Sequence, residues 1–132
     1  MNKVYLAGGF HGELREHAKD LLQAAGLYVF DPSQTGLQHP EEYVAADLKA
    51  IRSSQVVFAF MEDRNPSGYP LCAEIGYAHG LGIPVVFLDQ MSQDDSRRHS
   101  FDFIRPMCRV TTSDLGVAWQ ATVDILEQAK RS

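Results

Sequence analysis

Five short runs of apolar residues predict β-strands, and the periodic apolar positions between them predict helices. Two of these runs, residues 55–61 and 84–89, are apolar at nearly every position. Continuous apolar runs are typical of central strands in a parallel sheet, because helices cover both of its faces. The remaining predicted strands are residues 3–8, 27–31 and 108–112.

The segments between the predicted strands repeat apolar residues every three or four positions, which indicates amphipathic helices. The predicted helices are residues 13–25, 40–53, 70–81 and 113–130. Gly26 follows the first helix and Pro40 opens the second, and both residue types favour these positions. Ser113 would cap the last helix. The expected inner face of that helix is Val117, Ala121, Ile125 and Leu126.

Strict alternation of strands and helices predicts an α/β fold, a parallel sheet with helices on both faces. Right-handed crossovers leave few strand orders, and the flavodoxin-like order 2-1-3-4-5 of a five-stranded sheet fits best. The 132 residues contain no linker, internal repeat or low-complexity segment, which predicts one three-layer domain over residues 1–132. Ligands of such sheets bind beyond the carboxyl ends of the strands, so we expect the site at that edge.

Composition and charge exclude several classes of protein. Hydrophobic residues make up 45% of the chain, yet no apolar run reaches the roughly 18–20 residues of a membrane span. The net charge of −5 argues against a long nucleic acid as partner, although a pocket could still bind one small anion. The two cysteines, Cys72 and Cys108, lack the spacing of a metal site. We therefore expect a cytoplasmic protein.

Two carboxylates lie on helix stripes that should face the sheet. Asp47 shares its stripe with Val44 and Ile51 in the second predicted helix, and Glu74 lies beside Ile75 in the third. Each carboxylate could lie in water at the edge of its stripe or pair with an arginine, because buried carboxylates are rare without a partner. Together, on helices that flank the third strand, they would offer two acids whose surroundings separate their pKa values, as enzymes require.

The loop after the first strand is rich in glycine. It contains Gly8, Gly9, Phe10, His11 and Gly12. Such a loop either lets the backbone approach a ligand or makes a tight turn. Its glycines match neither the dinucleotide-binding nor the P-loop pattern, which argues against a nicotinamide cofactor. Ser67 and Gly68 precede the third helix, where backbone N–H groups either bind an anion or are capped by the serine hydroxyl.

The order of these features resembles the nucleoside 2-deoxyribosyltransferase family. The resemblance starts with an Asp on the second helix and an apolar third strand, in residues 46–51 and 56–60. A loop with glycine, the run Ala-Glu-Ile-Gly-Tyr-Ala at 73–78 and the run Gly-Ile-Pro-Val at 82–85 then follow. With the first strand, the resemblance covers most of residues 3–88.

This resemblance implies cleavage of the N-glycosidic bond of a 2'-deoxynucleoside, with no metal or organic cofactor. Glu74 matches the position of the nucleophile, which forms a covalent glycosyl ester. Asp47 matches the residue that hydrogen-bonds the sugar and orients the nucleophile. Tyr5 and Gly8 match positions near the sugar and base, and Gly9, Phe10 and His11 of the first loop join them as candidate substrate contacts, with Ser67 and Gly68.

The chain departs from the transferase pattern at Ser67, where the family usually has an Asp that donates a proton to the leaving base. A serine there looks more like the 2'-deoxynucleoside 5'-monophosphate N-glycosidase branch, in which the hydroxyl contacts phosphate. The first loop lacks the Ser and Arg of that branch. The sequence therefore leaves open whether the substrate is phosphorylated and whether the sugar passes to a base or to water.

Residues 100–105 lie where the family lends a residue to a neighbouring subunit. Ser100, Asp102 and Arg105 are the candidates for this cross-subunit role, and Tyr43 beside Val44 offers a partner surface. We expect a homodimer or larger homo-oligomer; the alternative is a loop that packs on its own sheet. Because fold does not determine function, a non-catalytic nucleotide-binding or sensing module remains the alternative to an enzyme.

Overall fold

A computed structural model describes residues 2–10, 12–62, 68–91 and 98–131, with backbone only for Arg98 and Ser100. Its five strands form one parallel sheet in the order β2-β1-β3-β4-β5, which confirms the predicted order. The strands are β1 Lys3–Ala7, β2 Tyr28–Phe30, β3 Val56–Met61, β4 Val85–Asp89 and β5 Val110–Thr112. The helices are α1 Leu14–Ala24, α2 Pro40–Arg52, α3 Tyr69–Gly80 and α4 Leu115–Arg131. None of these helices is both long and apolar enough to cross a bilayer.

The two faces of the sheet carry separate hydrophobic cores, because successive side chains of a strand point to opposite faces. On one face, alternate residues of β1 and β3 pack with Ile51 of α2 and Ile75 of α3. On the other face, the intervening residues pack with Leu22 of α1 and Leu126 of α4. Every residue of β3 and β4 is buried, which explains why both strands are apolar at nearly every position of the sequence.

The last helix corrects two sequence predictions. Its cap is Asp114 rather than Ser113, because the Asp114 carboxylate accepts a hydrogen bond of 3.0 Å from the Val117 amide. Val117 is 51% exposed, and the buried residues of the helix are Ala118, Thr122, Ile125 and Leu126. Thr122 can be buried because its hydroxyl donates to the Ala118 carbonyl at 2.9 Å, which leaves no unpaired donor.

The second helix corrects a third prediction, that Val44 faces the sheet. Val44 is 46% exposed, and the buried residues of α2 are Ala50 and Ile51 near its C-terminus. The N-terminal half of α2 instead borders a cavity, where Tyr43 and Asp47 form part of the wall. The helix therefore contributes apolar packing at one end and polar groups at the other.

Candidate functional site

A cavity of about 510 Å³ opens where the polypeptide leaves the carboxyl ends of β1 and β2. Its wall comprises Gly8, Gly9, Phe10, Arg15, Pro32, Thr35, Leu37, Tyr43, Asp47, Pro70, Leu71 and Glu74. These residues come from the loops after β1 and β2 and from α1, α2 and α3. The chain passes from β1 to β2 on one side and to β3 on the other, so the cavity lies at a topological switch point of the sheet.

Glu74 of α3 is a partly buried carboxylate in the wall of this cavity. The Tyr5 hydroxyl donates a hydrogen bond to its Oε2 atom. Burial raises the pKa of Glu74 to about 7; the Tyr5 hydrogen bond opposes the rise, Asp47 adds to it and Arg15 opposes it. The carboxyl group therefore changes charge near neutral pH, a property that is common at catalytic sites.

Tyr5 is held rigidly as the partner of Glu74. Its side chain is fully buried in β1, and its ring stacks on Phe30 of β2 with centroids 5.7 Å apart and planes at 14°. Burial and the nearby Glu74 raise the pKa of the Tyr5 phenol far above its ordinary value. The hydroxyl consequently keeps its proton and remains a hydrogen-bond donor to Glu74.

Asp47 of α2 lies in the same wall and has a buried oxygen that is free to accept a hydrogen bond. Its Oδ1 atom has no hydrogen-bond partner within the described ranges. Burial raises the pKa of Asp47, and the charge of Arg15 opposes this rise. An unmade hydrogen bond at a buried acceptor costs about 1–3 kcal/mol, so a ligand hydroxyl that donated to Oδ1 would bind favourably.

Arg15 of α1 is a functional candidate that the sequence analysis missed. Its guanidinium is almost completely buried and belongs to the cavity wall. Nη1 donates to Asp31 Oδ1 at 2.6 Å, and Nη2 donates to the Gly8 carbonyl at 2.7 Å. The helical register carried the signal, because Arg15 precedes the buried Ala18 by three residues and lies on the apolar stripe of α1.

The first loop needs its glycines for close approach rather than only for a turn. A Cβ atom on Gly8 would lie 2.5 Å from the ring of Phe60, and one on Gly12 would lie 2.7 Å from Glu62 Oε2. Gly12 also has a φ of +101°, which other residues adopt only with strain. The loop is therefore pressed against the ends of β1 and β3, with Gly9 and Phe10 at the cavity.

The structure brings together most of the predicted site residues that it describes. Gly8, Gly9, Phe10, Asp47 and Glu74 line the cavity, and Tyr5 contacts Glu74. Gly68 is the N-cap of α3, with no side-chain cap hydrogen bond, and is not part of the described cavity wall. His11 and Ser67 lie outside the described residues, so their predicted substrate contacts stay predictions.

Two of the predicted cross-subunit residues, Asp102 and Arg105, make contacts within their own chain. Arg105 Nε donates to Asp89 Oδ2 at 2.7 Å, and Arg105 Nη1 donates to Asp102 Oδ1 at 2.6 Å. His99 Nδ1 lies 3.0 Å from the other carboxylate oxygen of Asp102. These contacts fasten the segment 98–105 to the end of β4. The role of Ser100, Asp102 and Arg105 in a neighbouring site stays a prediction.

The chemistry of the cavity rests on two carboxylates and one phenol. No group of three or more His, Cys, Asp or Glu side chains that could hold a metal ion occurs in the part of the chain that the structure describes. A carboxylate held by a hydrogen bond at the wall of a cavity can attack an electrophilic carbon and form an ester. A second carboxylate beside it can orient a hydroxyl-bearing substrate.

The fold and this site define an α/β protein with an acidic, small-molecule cavity at the switch point of a parallel sheet. The family model for nucleoside 2-deoxyribosyltransferases matches residues 4–119, and the chain belongs to this family. None of the curated proteins that were compared matches the chain.

Three solved structures show the same fold. A 2-deoxyribosyltransferase from Bacillus psychrosaccharolyticus has 21% sequence identity and a TM-score of 0.70, over 89% of this chain and 90% of that one. A CMP N-glycosidase from Clostridium botulinum has 17% identity and a TM-score of 0.58, over 95% of this chain and 99% of that one. A 2-deoxyribosyltransferase from Leishmania mexicana has 19% identity and a TM-score of 0.57, over 73% and 72% of the two chains.

Proposed function

We propose that the protein cleaves the N-glycosidic bond of 2'-deoxyribonucleosides or their 5'-monophosphates through a covalent glycosyl–Glu74 intermediate. The observation that carries the proposal is the Glu74 carboxylate, which the Tyr5 hydroxyl fixes at the wall of a cavity. Membership of the nucleoside 2-deoxyribosyltransferase family supports the same chemistry. Asp47 in the same wall supplies the second carboxylate.

In the first step, an oxygen of the Glu74 carboxylate forms a bond to the anomeric carbon, C1'. The bond from C1' to the base nitrogen breaks, its electron pair stays on the base, and the departing base takes up one proton. The product of this step is a glycosyl ester on Glu74. Only the ionised carboxylate of Glu74 can attack C1'. Because the pKa of Glu74 is raised to about 7, we expect full activity only at a pH near or above 7.

In the second step, the nitrogen of another base or the oxygen of water attacks C1' from the face that the first base left. The ester bond to Glu74 breaks, the carboxylate is restored, and the attacking group loses one proton. Two inversions retain the configuration at C1', as in glycosidases that use a carboxylate nucleophile. Transfer and hydrolysis differ only in which acceptor reaches the intermediate.

Asp47 and Tyr5 prepare the reaction without forming a bond to carbon. We propose that the unpartnered Oδ1 atom of Asp47 accepts a hydrogen bond from a sugar hydroxyl and so aligns C1' with Glu74. Tyr5 holds Glu74 Oε2 and leaves the other carboxylate oxygen for attack. The apolar wall around them, which includes Phe10, Tyr43 and Leu71, suits a sugar and a flat base.

The experiment is base release by the purified protein, followed by chromatography. The substrates are the four deoxynucleosides, their 5'-monophosphates and CMP, which is included because one structural relative is named as a CMP N-glycosidase. Each reaction is run with and without a second free base, so that a new nucleoside reports transfer and a free base alone reports hydrolysis. Intact-protein and peptide mass spectrometry of a quenched reaction should find one deoxyribosyl group on the peptide that contains Glu74.

Ser67→Ala addresses the phosphate question in the same assay. The helix α3 begins at Tyr69, immediately after the predicted contact, and helix N-termini attract anions. A preference for the monophosphate in kcat/KM that declines in Ser67→Ala would assign the phosphate contact to Ser67. Equal values for wild type and variant would exclude Ser67 from phosphate recognition.

The alternative of a sensing module predicts binding without turnover. Calorimetry with each nucleoside, run beside the chromatography, separates the two outcomes. Binding of a nucleoside with no base release over hours at micromolar protein would overturn the enzymatic proposal. A cytoplasmic location and a homo-oligomeric state belong to the proposal as well, and the second is tested below.

A further inference from the structure

Arg15 is a cation that the proposed reaction does not use, although it lies in the wall of the cavity. Its residue is only 2% exposed. Besides the bonds to Asp31 and the Gly8 carbonyl, Nε donates to the Gly9 carbonyl at 3.1 Å, and Nη1 lies 3.5 Å from the Leu6 carbonyl. Burial of a charge is costly unless it is paired and hydrogen-bonded, so these contacts require an explanation.

Stabilisation of the buried Asp31 carboxylate does not by itself require Arg15. Lys19 Nζ lies 3.1 Å from Asp31 Oδ2, and both the amide and the hydroxyl of Ser33 donate to Asp31 Oδ1. The helix α1 is already held to the sheet by Ala18 and Leu22. Asp31 therefore has a second cation and local donors besides Arg15.

The position of Arg15 does affect the site. Its guanidinium binds the carbonyls of two successive loop residues, Gly8 and Gly9, both of which line the cavity. Its guanidinium carbon also lies 4.9 Å from the centre of the Phe10 ring and 5.3 Å from that of Phe60. The planar fork of arginine suits such a set of contacts, which the single ammonium of lysine cannot make together.

Arg15 also provides the positive charge that faces the two acids. The groups that act on Glu74 are Tyr5 from β1, Asp47 from α2 and Arg15 from α1. Arg15 is the one cation in the cavity wall, as far as residues 2–10, 12–62, 68–91 and 98–131 define it. Its charge lowers the pKa values of both Glu74 and Asp47, against the effect of burial.

We propose that Arg15 is a positioning residue of this site, which fixes the Gly8–Gly9 loop at the cavity and holds one positive charge beside the two carboxylates. This role rests on the proposed function, because the Gly8–Gly9 loop would serve substrate binding and the positive charge would serve the nucleophile, Glu74. The planar guanidinium fixes the loop, and its positive charge favours the ionised form of Glu74 against the effect of burial.

Four variants separate the contribution of the planar guanidinium from that of its charge. Arg15→Lys keeps the positive charge and loses the planar guanidinium with its several N–H donors. Arg15→Met in an Asp31→Asn background removes the charge of Arg15 without leaving a buried Asp31 carboxylate that has lost one of its two cations, and Asp31→Asn alone is its reference. Lys19→Met removes the other cation from Asp31 at a position outside the described cavity wall, so it controls for loss of any nearby charge.

The main measurement is a carbon-13 NMR titration of the Glu74 carboxyl in the intact protein, with its resonance assigned by its loss in Glu74→Gln. We expect Glu74 to titrate about one pH unit higher in Arg15→Met/Asp31→Asn than in Asp31→Asn, because an opposing charge has been removed. Arg15→Lys should titrate like the wild type but raise KM about tenfold, because its loop is no longer fixed. Lys19→Met should change neither quantity.

An unchanged Glu74 titration in the double variant together with an unchanged KM in Arg15→Lys would reduce Arg15 to a structural ion pair. Thermal melts show which variants are folded. If the double variant does not fold, Arg15→Lys decides the matter: raised KM at an unchanged melting temperature supports the role, and unchanged KM overturns it. Failure of the proposed function looks different, since wild type would then release no base while the Glu74 titration still responded to Arg15.

Discussion

Two aspartates end strands of the sheet, and each is paired with an arginine, but the two pairs lie in different surroundings. Asp31 follows β2 and pairs with Arg15 from the preceding helix, beside the cavity. Asp89 ends β4 and pairs with Arg105 from the segment that follows it, away from the described cavity wall. The first arginine also binds loop carbonyls of the site, whereas the second binds the exposed Asp102.

The comparison shows that the same chemical pair can serve a site or anchor a segment, depending on what else its arginine contacts. Arg15 is 2% exposed and Arg105 has a side chain that is 21% exposed. The cavity side of the molecule should therefore respond to mutation in activity, and the β4 side should respond in stability. The following predictions test this division.

The largest effect is expected for Glu74→Gln, which removes the nucleophile and keeps the shape of the side chain. Turnover should decrease by several orders of magnitude, with nucleoside binding largely retained, because the covalent step is lost. The measurement is the rate of base release under single-turnover conditions. Glu127→Gln on the exposed surface of α4 is the matched control and should keep the wild-type rate. Base release by Glu74→Gln within tenfold of the wild type would contradict the mechanism.

Arg105→Met should act on stability instead. It removes the 2.7 Å ion pair between Arg105 and the fully buried Asp89, and loss of one member of a buried pair costs roughly 3 kcal/mol, at the low end because Arg105 is partly exposed. Chemical denaturation measures the loss, and turnover per folded molecule should stay at the wild-type level. A large loss of turnover in folded Arg105→Met would instead support the predicted reach of Arg105 into a neighbouring site.

Asp47→Asn should reduce turnover by about 10–100-fold, because it weakens the alignment of the sugar with Glu74. Its melting temperature should not decrease, because the replaced Oδ1 atom makes no hydrogen bond to any residue that the structure describes. Asn also avoids the cost of ionising a partly buried acid. If instead the melting temperature declines and activity is intact, Asp47 has a structural role.

Glu74 should also make stability depend on pH. Its pKa rises from 4.5 in the unfolded chain to about 7 in the folded protein, so the folded state binds more protons between these values. Stability should therefore decrease as pH rises from about 4.5 to 7 and then level off. Glu74→Gln removes this loss, so we expect its melting temperature to exceed that of the wild type by several degrees at pH 8, with little difference at pH 4. Equal melting temperatures at both pH values would contradict this prediction.

The last prediction, with the smallest expected effect, concerns the oligomeric state. We predict a homodimer or larger homo-oligomer, and light scattering across a dilution series measures the mass. The partly exposed Tyr43 and Val44 on α2 and the exposed Phe103 offer apolar surface for a second copy. A monomer that keeps full activity at nanomolar concentration would contradict both the assembly and the shared site.

The sheet and the two acids could be predicted because they depend on local patterns. The runs at β3 and β4 are apolar at every position but the last residue of β4, Asp89, since both faces are covered, and this pattern places them at the centre. Glu74 and Asp47 stand out because a carboxylate on an apolar helical stripe is uncommon. Helix register then brings both to the same cavity.

The remaining features depend on contacts between distant segments. The Arg15–Asp31 pair joins α1 to the end of β2, and the sequence does not show that the first loop places its carbonyls there too. Thr122 is not among the residues predicted for the inner face of the last helix, and a hydrogen bond to its own helix allows its burial. Val44 was expected inside because it is apolar, but it is 46% exposed, beside Tyr43 of the cavity wall.

Tyr5 belongs to the hydrophobic core and to the site at the same time. Its ring fills space in the middle of the sheet, paired with Phe30, while its hydroxyl reaches Glu74. Mutational drift at this position is therefore constrained from two sides, because a smaller residue opens a void and phenylalanine removes the hydroxyl while it keeps the packing. A related protein that no longer catalyses the reaction could accept phenylalanine at position 5 without loss of the fold. The exchange of Tyr5 for phenylalanine would then indicate that the reaction has been lost.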